Sequence, residues 1–175
     1  MDIRATLLEE HSKIQMLKIV KYIGDRQDRF DELFNLMLTG EYRVIQRAAW
    51  AVHHAAEAQP QLTKPHLKTM VKNLADTKLL DAVKRNTLRI LAAIDLPKSL
   101  QGIMAEHGFR MLDDPKEPVA VRMFAMTVLY NICQEEPELA PELIAMLEDH
   151  LPHGSAGLKA RGKKILVELR KMSAG

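Results

Sequence analysis

The sequence predicts an all-α protein built from about four helix pairs stacked one on the next behind an N-terminal cap helix. Three observations carry this. Eight prolines and eight glycines fall almost entirely at intervals, and the stretches between them are rich in Leu, Ala, Met, Lys, Glu and Arg, the residues that cost a helix least. Within those stretches apolar residues recur at spacings of three and four, as in Leu7, Ile14 and Leu17, or Val44, Ala48, Ala51, Val52 and Ala55. That is one buried stripe on a 3.6-residue period, and no alternation of the strand type survives for more than a few residues. Finally, the segments around Arg47, Arg85, Arg122 and Arg161 look alike, each an arginine after a small apolar lead-in, and these arginines are 38, 37 and 39 positions apart. A helix pair repeated at that period stacks into a solenoid, because one pair cannot bury its apolar face alone.

Taken in order, helices are expected over about 3–22, 28–39, 41–58, 63–75, 79–94, 97–112, 118–134, 138–151 and 156–172. The first is the cap, and the repeats run over about 28–58, 63–94, 97–134 and 138–172 within a single domain, 1–175. Pro65, Pro97, Pro118 and Pro141 fall near helix starts, where the fixed φ suits the first turn and the missing N–H has no intrahelical acceptor anyway. Gly24 and Gly40 fall where helices should stop. Trp50, Leu88, Ile90, Leu91, Ala125, Leu129, Leu166 and Leu169 are assigned mostly to the core.

Composition excludes several classes. With 175 residues, 47% of them apolar, and 25 Lys+Arg against 23 Asp+Glu, the chain is long enough to bury a core without staples. A lone cysteine, Cys133, rules out an internal disulfide and any multi-cysteine metal site, and fits a reducing compartment. No apolar run is longer than that from Ala48 to Val52, far short of the roughly 20 residues of a membrane span. The charged N-terminus, MDIRATLLEEHSK, lacks the apolar stretch of a signal peptide. A cytoplasmic location without membrane contact is expected.

The segment Asp113-Asp114-Pro115 through Val119, Val121-Arg122, Ala125 and Leu129 resembles the HEAT and armadillo families of α-helical repeats: Asp in the inter-helix turn, Val-Arg opening the second helix, then Ala and Leu on its buried side. Asp76 to Arg85 is a looser match. Before Arg47 and Arg161 the turn Asp is missing, replaced by Thr39-Gly40-Glu41 and His153-Gly154-Ser155, so any Arg–Asp ladder is incomplete. The resemblance covers about 28–172 and implies a right-handed α-α superhelix, with the second helix of each pair on the concave side. It makes Arg47, Arg85, Arg122 and Asp114 structural repeat positions that bridge turns.

No constellation of reacting groups emerges. His53 with Glu57 has the i, i+4 spacing of two ligands on one helix face, but no third ligand is evident, and the adjacent His54 should point elsewhere. His150 and His153 straddle Pro152. Carboxylate pairs such as Glu9-Glu10 and Glu135-Glu136 lie at helix ends or polar faces. Cys133 ends the stripe Ala125, Leu129, Ile132 and reads as a buried hydrophobe. Gly154-Ser155-Ala156-Gly157 lacks the strand and the Gly-Lys-Ser/Thr of a phosphate loop. No catalytic residue, metal or cofactor is expected.

What remains is charge. The expected second helices with their flanks hold 13 basic residues against five acidic, and the alternate helices hold six against eleven. Such sorting favours an acidic partner on the second-helix side. The expected function is a non-catalytic scaffold or adaptor that binds a protein or peptide on its concave face through Lys84, Arg89, Arg43, Lys163 and Lys164. In that reading Arg85 is held by Asp76 or Asp81, and Lys84 and Arg89 face the partner. The alternative is a nucleic-acid-binding protein, similar to the HEAT-like DNA alkylation-repair enzymes, using the same basic residues. Aromatics at 5% of the chain leave few stacking platforms for it. Oligomeric state is not specified by the sequence.

Overall fold

The structure is a computed structural model that describes residues 1–174. Among them every regular element is helical and there is no strand. The packing separates into two compact units, residues 1–90 and the chain from Leu91 onward.

In the first unit the expected cap helix is two helices. α1 (Ile3–Glu9) is capped by Asp2, whose carboxylate accepts from Ala5 N at 2.9 Å. Glu10 is then extended, and Ser12 opens α2 (Lys13–Ile23) by accepting from Gln15 N at 3.1 Å. The Gln15 amide donates back to Thr6 O and to Glu9 Oε2, both at 2.7 Å, satisfying a carbonyl that a helix end leaves open. The break resets the helical phase. Met16, Ile19 and Ile23 form the buried stripe of α2, whereas Ile14 is 80% and Leu17 47% exposed, so the stripe read through Leu7, Ile14 and Leu17 does not exist.

Gly24, at φ +53°, ends α2 in the left-handed region and donates its N–H to Val20 O. α3 (Gln27–Thr39) and α4 (Tyr42–Ala58) form an antiparallel hairpin around Gly40, where a Cβ would fall 2.6 Å from Leu36 O and 2.8 Å from Val44 Cγ1. α4 is the hub: α1, α2 and α3 all pack on it. Its buried Ala48, Ala49, Ala51, Ala55 and Ala56 let three backbones approach closely. Trp50, assigned to the core, is instead half-buried, with its ring edge-on to His11 at 5.6 Å and to His54 at 6.0 Å. The expected helix at 63–75 begins as a 3₁₀ turn, Pro60–His66, and becomes α5 only at Leu67–Asn73, since Pro65 has no N–H to donate. α6 (Asp81–Leu91) follows, its last residue at the start of the second unit.

The second unit shows the repeat logic plainly. α7 (Lys98–Asp113) packs on α8 (Val119–Glu135), and α9 (Ala140–His150) on α10 (Ala156–Ala174). Then α8 packs on α10 and α7 on α9, first helix on first and second on second. Leu129, Ile132, Leu143, Leu147, Ile165 and Leu169 are buried between them.

Candidate interaction surface

Each repeat arginine is placed by the first turns of a second helix, and three of the four reach back to an earlier element. Arg47 Nη1 donates to Leu7 O at 2.6 Å, Arg122 Nε to Leu112 O at 3.0 Å, and Arg161 Nη1 to Thr127 Oγ1 at 3.0 Å. These bonds join helix to helix through carbonyl and hydroxyl oxygens and not through aspartates: Arg47 reaches α1, Arg122 the first helix of its own pair, and Arg161 the preceding repeat. Arg122 also donates to His150 Nδ1 at 3.1 Å, and His150 Nε2 faces Asp113 Oδ1 at 2.9 Å. A guanidinium only donates, so Nδ1 carries the lone pair and Nε2 the proton given to Asp113.

Asp114 has a different role from an Arg partner. Its Oδ1 accepts from Lys116 N at 2.8 Å, and 38 positions earlier Asp76 Oδ1 accepts from Lys78 N at the same distance. Both close an Asx turn ahead of a second helix, so the turn aspartates shape the connection. Arg85 departs from the pattern. It is exposed, and Asp81 lies 4.0 Å from Lys84 Nζ, so neither Asp76 nor Asp81 holds it.

The five expected contact residues separate accordingly. Arg43 and Arg89 are exposed on α4 and α6, and Lys163 and Lys164 are exposed on α10. Lys84 is not an open cation: its side chain is 9% exposed beside Asp81. It sits in the wall of a cleft of about 370 Å³ between the starts of α4 and α6, lined also by Tyr42, Gln46, Lys78 and Asp81. Helix phase explains the exchange, because Val83 and Thr87, buried neighbours on α6, carry Lys84 inward with them while Arg85 and Arg89, four apart, face out.

Sequence reasoning missed Tyr42. It is 63% exposed at the start of α4, and its hydroxyl accepts from Gln46 Nε2 at 2.7 Å. The only signal for it was its place ahead of the first buried residue, Val44. On α10, Val167 is exposed one turn beyond Lys163 and Lys164.

The groups weighed for chemistry are mostly sequestered. Cys133 is fully buried, and burial pushes its thiol up to about 11, the opposite of an activated nucleophile. His53 is buried, and burial, reinforced by the charges of Arg89 and His54, pushes it down to about 4.

The repeat arginines, the Asx turns and the like-on-like helix stacking are what a helical-repeat family would share. The HEAT repeat domain family matches residues 3–169. The chain belongs to the HEAT repeat family. No curated protein and no solved structure gives a significant match. The match takes in α1 and α2, so the HEAT region begins before the repeats read from the sequence. No helix among the described residues is long and apolar enough to cross a membrane.

Proposed function

We propose that this HEAT repeat protein is a non-catalytic adaptor that binds a protein or peptide partner carrying acidic groups, through exposed residues of its second helices. The observation that supports this best is at the start of α4: an exposed tyrosine, Tyr42, held by Gln46, lines the cleft between α4 and α6, and the next residue along the helix, Arg43, is also exposed. Tyr and Arg are the side chains that most often carry binding energy at interfaces. A ring held in place by a hydrogen bond has less rotamer freedom to lose on binding. Arg89, Lys163 and Lys164 supply further exposed positive charge, which speeds encounter with an acidic partner. Lys84 contributes as part of the cleft wall.

The test is affinity capture from native lysate with the wild-type chain and with a Tyr42→Ala, Arg43→Glu variant, at two salt concentrations, with and without nuclease. The expected result is stoichiometric recovery of one protein that resists nuclease and is lost with the variant. A tenfold weakening corresponds to about 1.4 kcal/mol. Recovery abolished by nuclease and falling steeply with salt would instead support the nucleic-acid reading. Equal recovery by the variant would remove this surface from the proposal.

A further inference from the structure

Adjacent residues of a helix leave its axis about 100° apart, so two neighbouring imidazoles do not ordinarily share a ligand. On α4 they converge. The rings of His53 and His54 meet edge to face with centroids 4.7 Å apart. His54 Nδ1 lies 3.1 Å from Glu57 Oε2, and one donor atom from each of His53, His54 and Glu57 lies within 4.8 Å of the other two. The third ligand that the sequence does not reveal is therefore the very histidine that helix geometry directs elsewhere.

A second observation points to a ligand. His53 is only 4% exposed, and its Nδ1 is buried without a hydrogen-bond partner, an arrangement that costs free energy unless something else meets the nitrogen. From these contacts we infer that His53, His54 and Glu57 form a binding site for a divalent transition metal, with water completing its coordination.

The donor set selects the ion. Two imidazole nitrogens and one carboxylate oxygen suit Zn²⁺, while Ca²⁺ and Mg²⁺ take oxygen ligands. With zinc–ligand bonds of about 2.0–2.2 Å, donors of a tetrahedral site stand roughly 3.4 Å apart. The His54–Glu57 pair is already that close, so the closure needed is onto His53. His53 is fixed by packing in the core. Glu57 is exposed and the His54 side chain is 26% exposed, so both are able to rotate toward it. The Arg89 charge opposes a cation and the Glu57 carboxylate favours one.

The experiment uses the full chain, freed of any histidine tag and of metal by chelation, titrated with Zn²⁺ alone by calorimetry and against a chromophoric chelator. Near one equivalent should bind, and His54→Ala and Glu57→Gln, both at accessible positions, should each weaken binding at least tenfold with an unchanged circular dichroism spectrum. Co²⁺ in place of Zn²⁺ should give visible absorption of low coordination number that both variants lose. Absence of saturable binding overturns the inference. So does binding that both variants leave intact, which would move the metal to another histidine, such as those paired with Asp31 or Asp113.

Discussion

Gly108, in the buried face of α7, and Leu129 of α8 offer a test in which one substitution should reverse sign with its background. A Cβ at Gly108 would stand 2.9 Å from both Cγ and Cδ2 of Leu129. Cγ is the branch point, so the whole leucine side chain must move, and at 1% exposure it is packed on every side. In the wild-type chain Gly108→Ala gains about 1 kcal/mol of helix propensity and loses about 1–3 kcal/mol to overpacking. The net is a destabilisation of up to about 2 kcal/mol. Leu129→Ala alone should cost about 2–5 kcal/mol. In that background the opposing atoms are gone and the cavity accepts a methyl group, so Gly108→Ala should stabilise by about 1 kcal/mol. The coupling between the two sites is then about 1–3 kcal/mol. Urea unfolding followed by far-UV circular dichroism, with midpoints compared at constant m, measures all four corners of the cycle. If Gly108→Ala has the same effect in both backgrounds, the α7–α8 contact does not have this geometry. A Leu129→Ala cost below about 0.5 kcal/mol would place that residue at the surface.

Three further outcomes are expected. Lys84→Glu should lower stability by at least about 2 kcal/mol, because it puts a carboxylate where the side chain is 9% exposed beside Asp81; Arg85→Glu, at an exposed position, should stay within about 0.5 kcal/mol of wild type in the same assay. His53 makes stability fall on acidification: unfolded, it takes a proton near 6.5, while the folded chain resists until about 4, so the unfolded state binds more protons in that window and stability is lost as pH drops through it. At 1.36 kcal/mol per pH unit the full loss is about 3 kcal/mol; comparing the pH dependence of unfolding in wild type and His53→Gln isolates it, and identical slopes would refute it. Cys133, fully buried with its thiol pushed up to about 11, should react with a thiol reagent at least about a hundredfold more slowly in the native chain than in denaturant.

Much of the fold is legible along the chain because it is local. The stripe Val44, Ala48, Val52, Ala55, the prolines in first turns and the near-38-residue recurrence of arginine each depend on residues a few positions apart, and α3, α4, α7, α8 and α9 lie close to where they are expected. Two local competitors divert the chain from that pattern. Ser12 offered its hydroxyl to Gln15 N and broke the cap helix, and Pro65 withheld an N–H and turned the start of the fourth expected helix into a 3₁₀ turn.

That the chain is all-helical and built from HEAT repeats can be read along it, since propensity, period and turn chemistry all act within about 40 residues. Which charges are exposed and which side chains meet depends on how the helices pack. Lys84 and Arg85 differ by one position, yet 100° of helix rotation buries one and exposes the other, and that angle depends on what packs against α6. Arg47 finds its acceptor at Leu7, 40 positions back, and Arg122 takes His150, 28 positions ahead. The rings of His53 and His54 meet at 4.7 Å and His54 pairs with Glu57, because burial fixes His53 while the other two stand at the surface. These pairings are set by the direction in which each helix faces its neighbours, and spacing along a single chain does not contain that direction.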